Sequence, residues 1–136
     1  MKDGVLTIHT DGAARGNPGP AAYAYVIQRD GEDDVEEKSR MGAATNNVAE
    51  YTALIKALEH AKKLGGRRLA IHSDSELMVN QMKGAYKVKN AGLRPLYEEA
   101  RQLWDEFEQV TIRHVRREDN SRADALCNEA LDGEYE

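Results

Sequence analysis

The chain is short of the residues that build disulfide scaffolds, cysteine metal centres and membrane spans. Its one cysteine, Cys127, excludes an internal disulfide and any cysteine-based metal site. Cys127 falls on the apolar side of a C-terminal helical pattern, so it is expected to be a small core residue rather than a nucleophile. No apolar run approaches the roughly 20 residues of a membrane helix. The first four residues lead straight into a strand pattern and leave no place for a signal peptide, so a soluble cytoplasmic protein with no membrane partner is expected. Basic residues are outnumbered, 19 against 24 acidic, and a net charge of −5 is the wrong sign for a protein that merely coats nucleic acid. Two stretches run against that trend. Lys83, Lys87, Lys89 and Arg94 lie in a segment (83–94) without an acid, and Arg113, Arg116, Arg117 and Arg122 cluster near the C-terminus.

What is present suffices for one domain spanning 1–136: the chain has 136 residues, and hydrophobic residues, 40% of them, are spread along its whole length. Residues 5–11 read as a strand, 12–20 as a turn crowded with Gly and Pro, and 21–29 as a second strand. A hairpin loop at 30–34 returns as a polar, edge-like strand over 35–41. Val48, Tyr51, Leu54, Ile55, Leu58 and Ala61 form one stripe of a helix over 47–64, stopped by Gly65-Gly66. A buried parallel strand is expected at 68–73 and a short helix at 75–82. Further elements follow: a helix at 93–108, a fifth strand at 110–115 and a closing helix at 121–131. Residues 132–136 read as a frayed tail. The order describes an α/β fold, a five-stranded mixed sheet flanked by helices, with an antiparallel meander first and parallel strands added by right-handed crossovers.

Four carboxylates stand out, each in its own short context. They are Asp11 in Thr10-Asp11-Gly12-Ala13-Ala14-Arg15-Gly16-Asn17, Glu50 in Thr45-Asn46-Asn47-Val48-Ala49-Glu50, Asp74 in Ser73-Asp74-Ser75, and Asp124 in Asn120-Ser121-Arg122-Ala123-Asp124. Helix capping explains some of them singly: Asn47 with Glu50, Ser73 with Glu76, and Ser121 with Asp124 resemble capping boxes, worth about 1 kcal/mol each. Asp11 and Asp74 resist that account, because both end apolar strands, where an unpaired anion costs several kcal/mol. Glu50 shares a helix face with Leu54, Ala57, Leu58 and Ala61 and so leans toward the sheet. An α/β fold that gathers strand ends and helix starts brings all four together. Clustered carboxylates repel and raise one another's pKa, and they persist as anions only around cations. Hard divalent ions choose such oxygen ligands.

These four segments, in this order, resemble the ribonuclease HI family, which cleaves the RNA strand of RNA–DNA hybrids. The resemblance runs over residues 5–131. It implies a ribonuclease H-like fold, an RNA–DNA hybrid as partner, and two Mg²⁺ ions (or Mn²⁺) about 4 Å apart on Asp11, Glu50, Asp74 and Asp124. It also implies products with 5′-phosphate and 3′-hydroxyl ends, and we expect a monomer. Asn17 and Asn47 resemble the family's minor-groove residues, whose amides reach bases and 2′-hydroxyls. Gly12 would let the backbone approach the substrate, or serve a tight turn, or both. Thr45 and Asn46 resemble a pocket for a DNA-strand phosphate, with helix capping as the alternative. Arg116 and Arg117 are expected on the hybrid's phosphates.

Departures from the family pattern bear on the substrate. Glu76 stands where many relatives carry an amide, and a carboxylate cannot donate to a base. The long basic protrusion of some members is replaced by a short loop, 83–90. His114 lies at the sequence distance from Asp124 of the family's mobile-loop histidine, yet it falls inside a strand, where a structural role is as well supported. His9 and His72 are expected to pack within strands and His60 to lie on a helix surface. Two other function classes fit less well: a non-cleaving hybrid- or RNA-binding module, which gains nothing from a repulsive acidic cluster, and a metal-dependent phosphatase using Asp11 as nucleophile. The phosphatase pattern needs an aspartate at position 13, where this chain has Ala13.

Overall fold

The computed structural model describes residues 5–133. Strands β1 (Val5–Ala14), β2 (Gly19–Arg29) and β3 (Val35–Ala44) form an antiparallel meander. Helix α1 (Asn46–Lys63) crosses over to β4 (Arg68–Ser73), which pairs parallel to β1. Helices α2 (Glu76–Met82) and α3 (Arg94–Trp104) then lead to β5 (Gln109–His114), parallel to β4. A 3-10 turn (Arg117–Asn120) enters the last helix, α4 (Ser121–Asp132). The sheet order is β3-β2-β1-β4-β5, so the expected five-stranded mixed sheet is observed.

Alternation along the strands decides which helix covers which face. Leu6 and Ile8 of β1, Tyr25 and Ile27 of β2, Leu69 and Ile71 of β4 and Ile112 of β5 pack under α1 to α3. The opposite face of β2, Ala22, Ala24 and Val26, is small enough to receive Leu126, Cys127, Ala130 and Leu131 of α4. Cys127 is buried there as expected, and burial first, with nearby carboxylates, pushes its thiol up to about 12. The α1 stripe is buried at Tyr51, Leu54, Ile55, Leu58 and Ala61. Truncating a fully buried leucine there costs about 2–5 kcal/mol. Gly65 (φ 76) ends α1 in the left-handed conformation, its N–H bonding the Lys62 carbonyl, while that of Gly66 bonds Ala61.

Several boundaries differ from expectation. β1 runs three residues past Asp11, because pairing with β2 continues through Ala14↔Ala21 where hydrophobic alternation has stopped. β3 likewise extends to Ala44 on the Gly19↔Ala44 pairing. α3 ends at Trp104 rather than 108: the chain turns so that the Glu108 N–H reaches the Arg67 carbonyl at 2.9 Å and starts β5, although Phe107 still packs on the core. The helix caps are also shifted. Thr45, not Asn47, caps α1, its hydroxyl accepting from the Val48 N–H, and Ser75, not Ser73, caps α2. α4 begins after Asn120, not with Ser121 as a cap, and no side-chain cap bond is made there. Asp132 belongs to α4, and residues 134–136 of the expected tail lie outside the described residues.

Candidate active site

Three backbone facts assemble the acidic cluster. β4 ends at Ser73, the partner of Thr10, so Asp74 emerges beside Asp11. Gly12 has no side chain, and a Cβ there would overlap the backbone of Ala49 and Glu50, so β1 and α1 touch and Glu50 sits above the strand. α4 then crosses the same end of the sheet and presents Asp124 from its first turn. Carboxylate oxygens of Asp11, Glu50 and Asp74 lie within 4.8 Å of one another. Asp11 and Glu50 are buried, whereas Asp74 and Asp124 are half-buried and face an open cleft of about 690 Å³.

Crowding acids away from water raises their pKa values. Asp11 is pushed up to about 8, by burial first and then by the charges of Asp74 and Asp124. Glu50 is held well above the carboxylate range by burial, then by Asp11 and Asp74. Asp74 is raised by burial first and then by the charge of Asp124, with Arg117 opposing. The Gly12 amide counters part of the shift through a hydrogen bond to Asp11 and another to Glu50. Glu50 Oε1 is buried and has no hydrogen-bond partner. An all-oxygen donor set with an orphaned buried oxygen suits a hard divalent cation, so these residues fit a metal of that kind.

Around the cluster, the Arg117 guanidinium donates to Asp124 Oδ1 from Nε (3.3 Å) and Nη2 (3.2 Å). Arg116 is exposed and pairs weakly with Glu118 and Asp119. His114 is the last residue of β5 and lines the same cleft, exposed rather than packed, which favours its reading as the mobile-loop histidine over a structural role. Asn46 also lines the cleft, and its Oδ1 accepts from the Ala14 N–H at 2.8 Å. Asn17 Oδ1 accepts from the Asn46 N–H at 3.0 Å, so the two asparagines lock the 15–18 turn to the start of α1. With both oxygens used, their Nδ2 groups are the donors that remain for a ligand. Asn47 is exposed in the first turn of α1.

Within the basic C-terminal stretch, Arg122 forms a two-pronged pair with Glu36 at 2.7 Å and clips α4 to β3. Other expectations need correction. His60 is half-buried rather than on the surface, its Nδ1 hydrogen-bonded with the Tyr25 hydroxyl at 2.8 Å. His9 and His72 do pack against each other across β1 and β4, their tilted rings with centroids 4.6 Å apart, and burial lowers both pKa values. The sequence reading assigned no role to Asn120, which is 1% exposed and donates from Nδ2 to the Thr10 carbonyl at 2.8 Å. An asparagine ahead of a helix reads as a cap, and a partner 110 residues away has no local signature.

Residues 9–130 match the family model described as Reverse transcriptase-like. A bifunctional protein of Mycobacterium tuberculosis is 44% identical over 129 residues, 93% of this chain, and the chain spans 35% of that protein's length. The ribonuclease HI of Halobacterium salinarum is 45% identical over 132 residues, covering 96% of this chain and 66% of the relative. The crystal structure of RNase H1 from that archaeon aligns with a TM-score of 0.90 at 44% identity, covering 95% of this chain and 98% of the other. LC11-RNase H1, isolated from compost by a metagenomic approach, has been crystallised in complex with an RNA/DNA hybrid. That structure aligns with a TM-score of 0.90 at 40% identity over 96% of this chain and 99% of its own. Alike in fold across nearly its whole described length, and in sequence over residues 9–130, the chain belongs to the ribonuclease HI family.

Proposed function

We propose that this chain is an endonuclease hydrolysing the RNA strand of RNA–DNA hybrids, leaving 5′-phosphate and 3′-hydroxyl ends. The observation that carries this reading is the acidic cluster. Carboxylate oxygens of Asp11, Glu50 and Asp74 lie within 4.8 Å of one another, Asp124 adds its charge, and Glu50 Oε1 is buried without a partner. Asp11, Glu50, Asp74 and Asp124 would hold two Mg²⁺ ions, with Mn²⁺ as a substitute. When bound, such ions activate the attacking water and stabilise charge on the departing RNA 3′-oxygen.

The remaining residues bind and orient the hybrid. The exposed guanidiniums of Arg116 and Arg117 at the cleft mouth suit backbone phosphates. Thr45 and Asn46 border a helix N-terminus suited to a phosphate. The Nδ2 groups of Asn17 and Asn47 are suited to minor-groove acceptors and the 2′-hydroxyl, through which RNA is told from DNA. Gly12 lets α1 approach β1 closely enough to seat Glu50 beside the other acids. The exposure of His114 at the rim supports a part in proton transfer or product release. Residues 1–136 act as one catalytic domain, and the protein works as a monomer.

Purified protein should be incubated with a hybrid labelled on its RNA strand, and with duplex DNA and duplex RNA, in Mg²⁺ or EDTA. The expected result is RNA-strand fragments from the hybrid in Mg²⁺ alone, ending in 3′-hydroxyls. Cleavage that survives EDTA, or binding without cleavage, would refute the proposal.

A further inference from the structure

We infer that Asn120 is a positioning residue that sets the spacing between Asp11 and Asp124, an inference that rests on reading those acids as cation ligands. Thr10, whose carbonyl receives the Asn120 Nδ2 at 2.8 Å, is the residue immediately before Asp11. Asn120 itself lies one helical turn before Asp124. One hydrogen bond therefore ties together the backbones that carry two of the four acids.

The place of this bond in the fold gives it its importance. β4 leaves the sheet after Ser73, the partner of Thr10, and the Asn120 amide supplies a donor to the Thr10 carbonyl at that point. The apolar anchors of α4 against β2, Leu126, Cys127, Ala130 and Leu131, lie beyond Asp124, and ahead of it in α4 only the small Ala123 is buried. The Arg122–Glu36 pair pulls the helix start toward β3, away from the cluster, and is exposed enough to be screened by salt. The Asn120–Thr10 bond is the side-chain hydrogen bond that ties the entry of α4 to β1, beside the buried methyl of Ala123.

Neither capping nor stability explains the residue. Asn120 makes no side-chain cap bond to α4. Its Oδ1 is buried without a hydrogen-bond partner, a state that costs a fold stability. A carboxamide whose acceptor is wasted while its donor reaches the strand beside Asp11 serves geometry at the site. Partners that orient metal ligands typically change metal affinity or activity 10–100-fold when removed.

The test is calorimetric titration of Mn²⁺ into the metal-free protein, with thermal melts and cleavage kinetics on a hybrid. In Asn120→Ala the Mn²⁺ dissociation constant should rise about ten-fold, and kcat should fall with KM for the hybrid little changed. Leu58→Ala, which empties a core position remote from α4, should lower the melting temperature without altering Mn²⁺ affinity. If Asn120→Ala does not fold, Asn120→Ser carries the same expectation. Wild-type protein that binds Mn²⁺ beside a folded Asn120 variant that binds it equally well overturns this inference alone. Wild-type protein that binds no Mn²⁺ overturns the reading of the acids, and this inference with it.

Discussion

At Gly12 the site depends on a missing methyl group. A Cβ there would collide with backbone atoms of Ala49 and Glu50, which cannot swing aside as a side-chain end can. Gly12→Ala should push β1 from α1 at a cost of about 1–3 kcal/mol. A domain of this size then loses roughly 4 °C per kcal/mol. Melting and turnover should fall together, and a variant as stable and active as wild type would show that the close approach is not needed. His114 is the opposite case, a side chain with little packing to lose. Being exposed at the end of β5, its replacement by Ala should leave the melting temperature near wild type while turnover drops about ten-fold. A drop of several degrees with turnover intact would make it the packed strand residue that its sequence context suggested.

Between neighbouring elements, what was legible was order, and what was not was where each element stops. The five strands, their pairing and the crossover helices follow from periodicity, because burial on one or both faces writes itself into every second or every third to fourth residue. Ends are set by partners instead. Gly12-Ala13-Ala14 carries no alternation, yet it stays in the sheet because Ala21 to Tyr23 lie opposite. Thr45, Asn46 and Asn47 can each cap a helix, and only the Thr45–Val48 geometry chooses among them. Two loop residues beside α4 give an element-level prediction. Arg116 and Arg117 are partly neutralised by Glu118, Asp119 and Asp124, so replacing both by Ala should weaken hybrid binding by less than two free cations would. The slope of log affinity against log salt should flatten by about 1. An unchanged slope would mean that neither meets a phosphate.

For the molecule as a whole, the acidic cluster should make stability depend on pH and on cations. Asp11 ordinarily titrates near 3.8, and here near 8, so between those values the folded chain holds a proton that the unfolded chain has released. Stability of the metal-free protein should therefore be greatest at the acid end of that window and fall as pH rises from about 4 to about 8. Glu50 and Asp74 are raised and act in the same sense. Melts in EDTA should show that fall, and excess Mg²⁺ should reverse it at pH 8, since a ligand of the folded state stabilises it. The four acids were legible because their contexts match a family pattern. Their depth was less so, since the seat of Glu50 depends on the close contact of α1 with Gly12, which no spacing announces. If charge on these acids holds the cations that drive hydrolysis, Asp11→Asn removes what the reaction needs. The amide keeps the shape and removes the charge, so cleavage of a hybrid in Mg²⁺ should be abolished while the metal-free protein at pH 8 melts at the same temperature or higher. Near-normal turnover by a folded Asp11→Asn protein would contradict that role of the charge.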